Sequence, residues 1–327
     1  MIFKCCESLL HHLVINPKDI YFCCSTFDQR LEYIPEYNGS LLDLDYYKKI
    51  RAKYIKDCKS GKYPEPCSQC PFFVEKDWDE TIGFTTISVS NRTKCSCNCI
   101  YCIISGGGNV ESKRRLNTQK TYDVKPVLEQ LRRNNMIADN CQLVIGGGEC
   151  SEYPEGELEY LVYFSMMTNS YIILLSSGFF YSKAIENAIA SSKAQLKISV
   201  DAGTKEVYAK VKQSDMFDKV WANIDRYMEA QKNNHQSEVI LKYVIIPGVN
   251  DTVEEAKAFV QRCLQAGCEK IEVALEFFWL EKNHEKEEIP QSLIDTIRYF
   301  ESQSENNVFF ANNISSHITK WLKKNFV

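Results

Sequence analysis

The chain has 327 residues, of which 44% are apolar and 25% charged, a length that buries a substantial core without disulfide staples. Its 39 Lys and Arg against 43 Asp and Glu give a formal charge of −4, without the positive field that a sequence-independent nucleic-acid binder needs. No apolar run reaches the roughly 18–20 residues needed to cross a bilayer.

Cysteine is the anomaly: there are 15, and all but Cys141, Cys150, Cys263 and Cys268 precede residue 103. The N-terminus, Met1-Ile2-Phe3-Lys4-Cys5-Cys6, lacks the apolar stretch and cleavage site of a signal peptide, so a cytoplasmic, reducing compartment is expected. Disulfides do not persist there, and a dense thiol group calls for a metal instead. Cys263 and Cys268, in a helical stretch, are read as small buried hydrophobes.

Residues 1–78 carry turn signals (Asn16-Pro17, Asn38-Gly39, Gly61, Pro64, Pro66), one helical stretch at 42–59, and the thiols of Cys5, Cys6, Cys23, Cys24, Cys58, Cys67 and Cys70. They are read as a small cysteine-rich metal-binding module. From Phe84 the pattern changes. Short β-rich runs at 84–89, 142–145, 171–175, 195–200, 239–246 and 271–275 alternate with helical stretches at 123–134, 155–168, 182–191, 217–233 and 252–266. The last of these opens on Thr252, with Glu254 and Glu255 behind it as an N-terminal signature. Two more helices are expected at 290–302 and 315–325, and the run Lys113-Arg114-Arg115 is read as solvated surface.

This alternation predicts an α/β fold, a partial (β/α)6 TIM-like barrel over 79–285 with a helical extension over 286–327. Ligands of such folds bind beyond the carboxyl ends of the strands. Just past the first core strand runs Thr93-Lys94-Cys95-Ser96-Cys97-Asn98-Cys99-Ile100-Tyr101-Cys102. Three thiolates there can wrap one face of a cubane [4Fe–4S] cluster and leave its fourth iron open. The fourth thiol, Cys97, also suits zinc, although zinc sites more often pair CxxC knuckles.

Cys95, Cys99 and Cys102, with an aromatic residue before the last, resemble the signature loop of the radical SAM superfamily. The resemblance implies an enzyme in which the open iron binds S-adenosylmethionine (SAM). Reductive cleavage there yields methionine and a 5′-deoxyadenosyl radical, and Tyr101 lies against the adenine. Later strand ends match in order. Gly147-Gly148-Glu149 resembles the element that holds the SAM amino group, with Cys150 where the family usually has Pro. Ser176-Ser177-Gly178 stands where relatives often show Thr-Asn-Gly, and Ser177 is carried as a cofactor residue. Ser199 and Asp201, taken to alternate onto one face of a strand, resemble residues that bind the ribose and carboxylate. The stretch from Tyr243 to Asp251, with Ile246 and Val249, resembles the apolar element that packs on adenine. Cys150, if it faces the cavity, is a candidate hydrogen-atom donor; a buried inert thiol is the plainer reading.

The N-terminal module looks like a SPASM-type auxiliary-cluster segment, displaced to precede the core. Cys6, Cys23, Cys67 and Cys70 could hold a second [4Fe–4S] cluster or a structural zinc, leaving Cys5, Cys24 and Cys58 as spare thiols. The expected substrate is a peptide or protein, or alternatively a carbohydrate or small metabolite, with flavodoxin or ferredoxin as electron donor. From another class, a zinc-organised non-catalytic binding protein competes with these readings.

Overall fold

The structure is a computed structural model that describes residues 2–17, 19–21, 33–34, 37–64, 67, 70, 72–80, 83–102, 122–277, 279, 283 and 289–311. It is an α/β fold with mostly parallel strands, and the chain divides into two compact units. One comprises Met1–Thr93, Gln119–Gly148 and Pro154–Ile173; the other comprises Lys94–Thr118, Glu149–Tyr153 and Leu174–Val327.

In the first unit, β1 (Ile2–Cys5) pairs antiparallel with β5 (Val74–Asp77). A second set of strands is centred on β6 (Phe84–Val89), which runs parallel to β7 (Ile137–Ile145) on one side and to β2 (His12–Ile15) on the other. Two short antiparallel strands, β3 (Ile20–Tyr21) and β4 (Tyr33–Ile34), extend it beyond β2. The helices are α1 (Glu7–His11), α2 (Leu44–Lys59), α3 (Lys125–Arg133) and α4 (Glu155–Met167). The Asp43 side chain caps α2 by accepting from Asp45 N and Tyr46 N.

Strand β2 is not foreshadowed in the sequence, because His11-His12-Leu13-Val14-Ile15 is short and lies among turn signals. Leu13 and Ile15 are fully buried, and Ile15 O accepts Ser90 N at the end of β6. Residues 12–15 are therefore sheet companions of 86–89, which the module expected over 1–78 did not include.

In the second unit, the end of β8 (Tyr171–Ser176) leads through α5 (Lys183–Ser191) into β9 (Ala194–Ser199). Helices α6 (Lys205–Lys212) and α7 (Phe217–Gln231) follow, then β10 (Glu238–Ile245), α8 (Val253–Gln265), β11 (Lys270–Leu275), α9 (Gln291–Ser302) and β12 (Val308–Phe310). Strands β9 to β12 are parallel in chain order. Strand β12 lies in the region expected to be helical throughout; the helix expected at 315–325 is outside the described residues.

The core of this unit is aromatic. Tyr243 of β10 packs against Phe259 of α8 and Phe300 of α9, with ring centroids 4.9 and 5.2 Å apart. Thr252 caps α8 by accepting Glu255 N, while the Glu255 carboxylate accepts Gly203 N, Thr204 N and Thr204 Oγ1. The turn after β9 is thus bolted to α8 at van der Waals distance. A Cβ on Gly203 would stand 2.4 Å from both Glu255 O and Phe259 N.

Two outcomes follow. Gly203→Ala must push backbone against backbone, and urea titration should show a loss of about 2 kcal/mol or more. His12, on β2, is pressed down from 6.5 to about 4 by burial and lies 2.8 Å from Ser88 Oγ. Because the unfolded chain takes up the proton first, this contribution is complete above pH 6.5 and is lost as pH falls towards about 4. Wild type should lose up to about 3 kcal/mol more than His12→Gln between about pH 7.5 and 4.5, read by urea titration at both values.

Candidate functional site

The cysteine loop belongs to the second unit, where backbone bonds fix its shape. Asn98 N donates to Lys212 O at 3.4 Å and Ile100 N to Val211 O at 3.0 Å, so the C-terminal turn of α6 carries the loop. At its start, Lys94 O accepts Glu149 N at 2.8 Å, and the Glu152 carboxylate takes both Ser96 N and Ser96 Oγ. Cys95, Cys97, Cys99 and Cys102 pack in one patch with Phe179 and Phe180.

Within this patch Cys97 is the odd member. Its Sγ donates to Ser177 Oγ at 3.3 Å, and contact with Cys95, only partly offset by Cys99, together with burial pushes its thiol up to about 12. The Cys99 thiol is pushed up by Cys97 and by burial, against the pull of the Lys212 ammonium. A donor set of thiols half-open at Cys95 and Cys102, with a cation at Cys99, suits an anionic thiolate-ligated cluster.

Above the loop sits a buried ionic knot. Lys212 and Asp201 form an ion pair at 2.5 Å with side chains only 1% and 0% exposed. Asp201 Oδ2 also accepts the Tyr101 hydroxyl, Oδ1 accepts Val244 N at 2.8 Å, and Asn250 Nδ2 holds the Asp201 carbonyl at 2.9 Å. Burial alone would lower the Lys212 pKa, but Asp201 and Tyr101 hold it well above its ordinary value. Burial and the Asp201 charge likewise push the Tyr101 phenol well up.

Asp201 itself has φ +60, a left-handed conformation that is uncommon outside glycine. Strand β9 ends at Ser199, so Asp201, expected to share a strand face with it, stands two residues beyond the strand. Ser199 is half-buried, whereas Asp201 turns inward.

Tyr101 also belongs to an apolar patch with Val211, Val244, Ile246, Ala274 and Val249. The structure therefore brings together Tyr101, Ile246 and Val249. Glu149 is nearly buried, and its carboxylate accepts from Ser151 N, Ser151 Oγ, Ser176 Oγ, Ser177 N and Ser177 Oγ. Five donors thus surround this carboxylate and fix it against the end of β8.

In the first unit, Gly147 has φ +94 and a Cβ there would meet Arg92 O at 2.6 Å, while Gly148 N donates to that same carbonyl. Cys150, the candidate hydrogen-atom donor, has no solvent-exposed surface. It is fully buried at the start of a 3-10 turn, Cys150–Glu152, and burial raises its thiol well above the ordinary range. A hydrogen-atom donor must reach its acceptor, and this thiol is enclosed.

The N-terminal thiols gather in the first unit. Cys5, Cys6, Cys58 and Cys67 are buried in one cluster with Cys70 against it, whereas Cys23 and Cys24 lie outside the described residues. Cys6 Sγ accepts Leu9 N at the start of α1. Cys5 and Cys58, expected to be spare, lie in this one cluster, and their proximity raises Cys5 and lowers Cys58. Cys67 is pushed up to about 11 by burial and by Cys70 and Cys58.

A family model described as the radical SAM superfamily matches residues 92–260, more than half of the chain. The chain belongs to the radical SAM superfamily. It is therefore an enzyme, and the zinc-organised non-catalytic reading falls; the superfamily implies a [4Fe–4S] cluster and SAM. No curated protein matches it.

Among solved structures, Streptococcus suis SuiB bound to the precursor peptide SuiA is 12% identical with a TM-score of 0.53, covering 97% of this chain and 75% of that one. SuiB bound to S-adenosylmethionine is 13% identical with a TM-score of 0.51, covering 82% of this chain and 56% of that one. The enzyme anSMEcpe with bound AdoMet and the Cp18Cys peptide is 14% identical with a TM-score of 0.51, covering 69% and 62%. This radical SAM chain thus spans little more than half of SAM-bound SuiB. At these identities the likeness is one of fold.

Lys212 went unnoticed in the sequence because no helix was assigned to 205–212. With Tyr208 and Val211 it forms the buried face of α6, and a lysine on an apolar stripe is the signal that would have found it. Removing one partner of a buried ion pair strands the other charge. Lys212→Met and Asp201→Asn should each lower unfolding stability by about 3 kcal/mol or more, and the double variant by less than the sum, in urea titrations of the metal-free protein.

Proposed function

We propose that this enzyme cleaves SAM reductively at a [4Fe–4S] cluster held by Cys95, Cys99 and Cys102, and abstracts hydrogen from a peptide or protein substrate. What carries the reading is the placement, on one loop of one unit, of those three thiols beside the apolar patch of Tyr101, Ile246 and Val249. When bound, the reduced cluster and SAM supply a carbon radical able to attack an unactivated C–H bond.

The chain's own residues do the holding. Tyr101, Ile246 and Val249 are proposed to pack on the adenine, with Tyr101 fixed in orientation by its bond to Asp201. Ser199, half-buried at the end of β9, is proposed to bond the ribose or carboxylate. Glu149 and Ser177 brace the end of β8 through the bonds of Ser177 N and Ser177 Oγ to the Glu149 carboxylate. A peptide is preferred over a carbohydrate because SuiB and anSMEcpe, of similar fold, are seen with peptides bound.

A second cluster, or a structural zinc, is proposed for the N-terminal thiols, with Cys6, Cys23, Cys67 and Cys70 as the ligands carried by resemblance. A reducing cytoplasm with flavodoxin or ferredoxin as donor fits both clusters. No described helix is long and apolar enough to cross a membrane.

Anaerobically reconstituted protein with dithionite and SAM should release 5′-deoxyadenosine and methionine, measured by chromatography. Ala at Cys95, Cys99 and Cys102 should reduce both to background; undiminished release would overturn the assignment. Iron analysis should give about eight irons per chain with two clusters, against about four with zinc in the N-terminal site. Ala at Cys67 and Cys70 should remove only the second metal.

A further inference from the structure

Strands β9 to β11 have two unlike faces. Ala194, Leu196 and Ile198 are fully buried, and a Cβ on Gly178 would touch both Ile198 and Val220 of α7, so this face lies under helices. Tyr243 likewise points to α8 and α9, so Lys242 and Val244 face the other way. Parallel strands in α/β proteins are ordinarily apolar on both faces. Here the face away from the helices carries a row of ions.

Lys197 Nζ lies 2.7 Å from Glu272 Oε2, and Lys242 Nζ lies 3.1 Å from Glu272 Oε1. The Glu272 side chain is 7% exposed, but the two lysines keep 26% and 27%. Two ammoniums share one carboxylate, so the rung holds a net positive charge. The rung nearer the strands' amino ends does not: Lys270 and Gln195 both bond Glu238, and the charges balance. Stability does not explain the surplus, since an ion pair on a sheet face gains little over apolar packing and needs one lysine rather than two.

Position gives the surplus a purpose. Lys242 is the register partner of Ser199, and it stands two residues, about 7 Å, below Val244. Val244 shares the apolar patch with Tyr101 and Ile246. A group seated on the rung is therefore next to the proposed adenine site.

We infer that Lys197 and Lys242 form a receptor for a carboxylate of the substrate, so that the peptide is held through an acidic group. The inference rests on the peptide reading above and deepens it. Burial alone would raise Glu272, yet the two lysines hold it below its ordinary range, so it stays an anion that fixes both ammoniums in place. Each ammonium has three donors, of which Glu272 occupies one, and the rest can meet an incoming carboxylate. That carboxylate is either an Asp or Glu side chain or the C-terminus of the peptide.

Fluorescence anisotropy with full-length, anaerobically reconstituted, SAM-loaded protein tests it. Three labelled probes are used: Ser-Gly-Glu-Gly-Ser as the C-terminal amide, the same peptide with Gln for Glu, and the Gln peptide with a free C-terminus. One or both carboxylate probes should bind at least about tenfold more tightly than the neutral one, and which of them does so identifies the source. Lys197→Gln and Lys242→Gln should each remove most of that preference, and Glu272→Gln should increase it.

Equal binding of all three probes to the wild type would overturn the receptor, whatever the folding of the variants. So would a preference that survives the Lys197→Gln/Lys242→Gln double variant, with its fold checked by circular dichroism. Wild type that prefers the acid but yields no 5′-deoxyadenosine would keep the receptor and sink the radical chemistry. Indifference to charge alongside nucleoside release would do the reverse.

Discussion

The buried ion pair between Lys212 and Asp201 is the constraint on which the candidate site depends. Two charges removed from water cost several kcal/mol each, and such a pair endures only when every remaining polar atom finds a partner. Here the partners of Asp201 come from separate elements: Val244 N from β10, the Tyr101 hydroxyl from the cysteine loop, and Asn250 from the turn after β10. The pair therefore fixes the relative positions of the loop, the end of β9 and the apolar patch. The left-handed backbone at Asp201 belongs to the same device, since it stands where the carboxylate makes these bonds, two residues beyond the end of β9.

The same strands that end in this knot divide the labour between their faces. One face is pure packing, with Leu196, Ile198 and Tyr243 against α7, α8 and α9. The other begins with balanced charge, carries a positive rung, then Ser199, and ends in the apolar patch beneath Tyr101.

Most of the core was legible because strands and helices of ordinary length announce themselves by period. The capped start of α8 and the cysteine loop could be placed from residue types alone. What escaped was set by tertiary partners. Strand β2 is four residues long, too brief for periodicity to separate from a turn, and only pairing with β6 makes it a strand. Asp201 looked like one more residue of β9 because no sequence signal marks a non-glycine left-handed turn. Cys150, by contrast, is buried at the start of a 3-10 turn, in keeping with the plainer sequence reading of an inert thiol. Cys5 and Cys58, 53 positions apart, meet only through packing of α2 against β1.

Four thiols crowd the cysteine loop where three ligands are proposed, and the end of β8 provides a physical basis for the choice. Ser177 donates through both its backbone N–H and its hydroxyl to Glu149, so its oxygen is held with lone pairs facing the loop. Cys97 Sγ donates to that oxygen and is buried by it. A thiol kept as a hydrogen-bond donor is a poor metal ligand, because ligation requires the thiolate. Where relatives often show Thr-Asn-Gly, Ser176-Ser177-Gly178 thus gives the additional cysteine of the loop a hydroxyl partner.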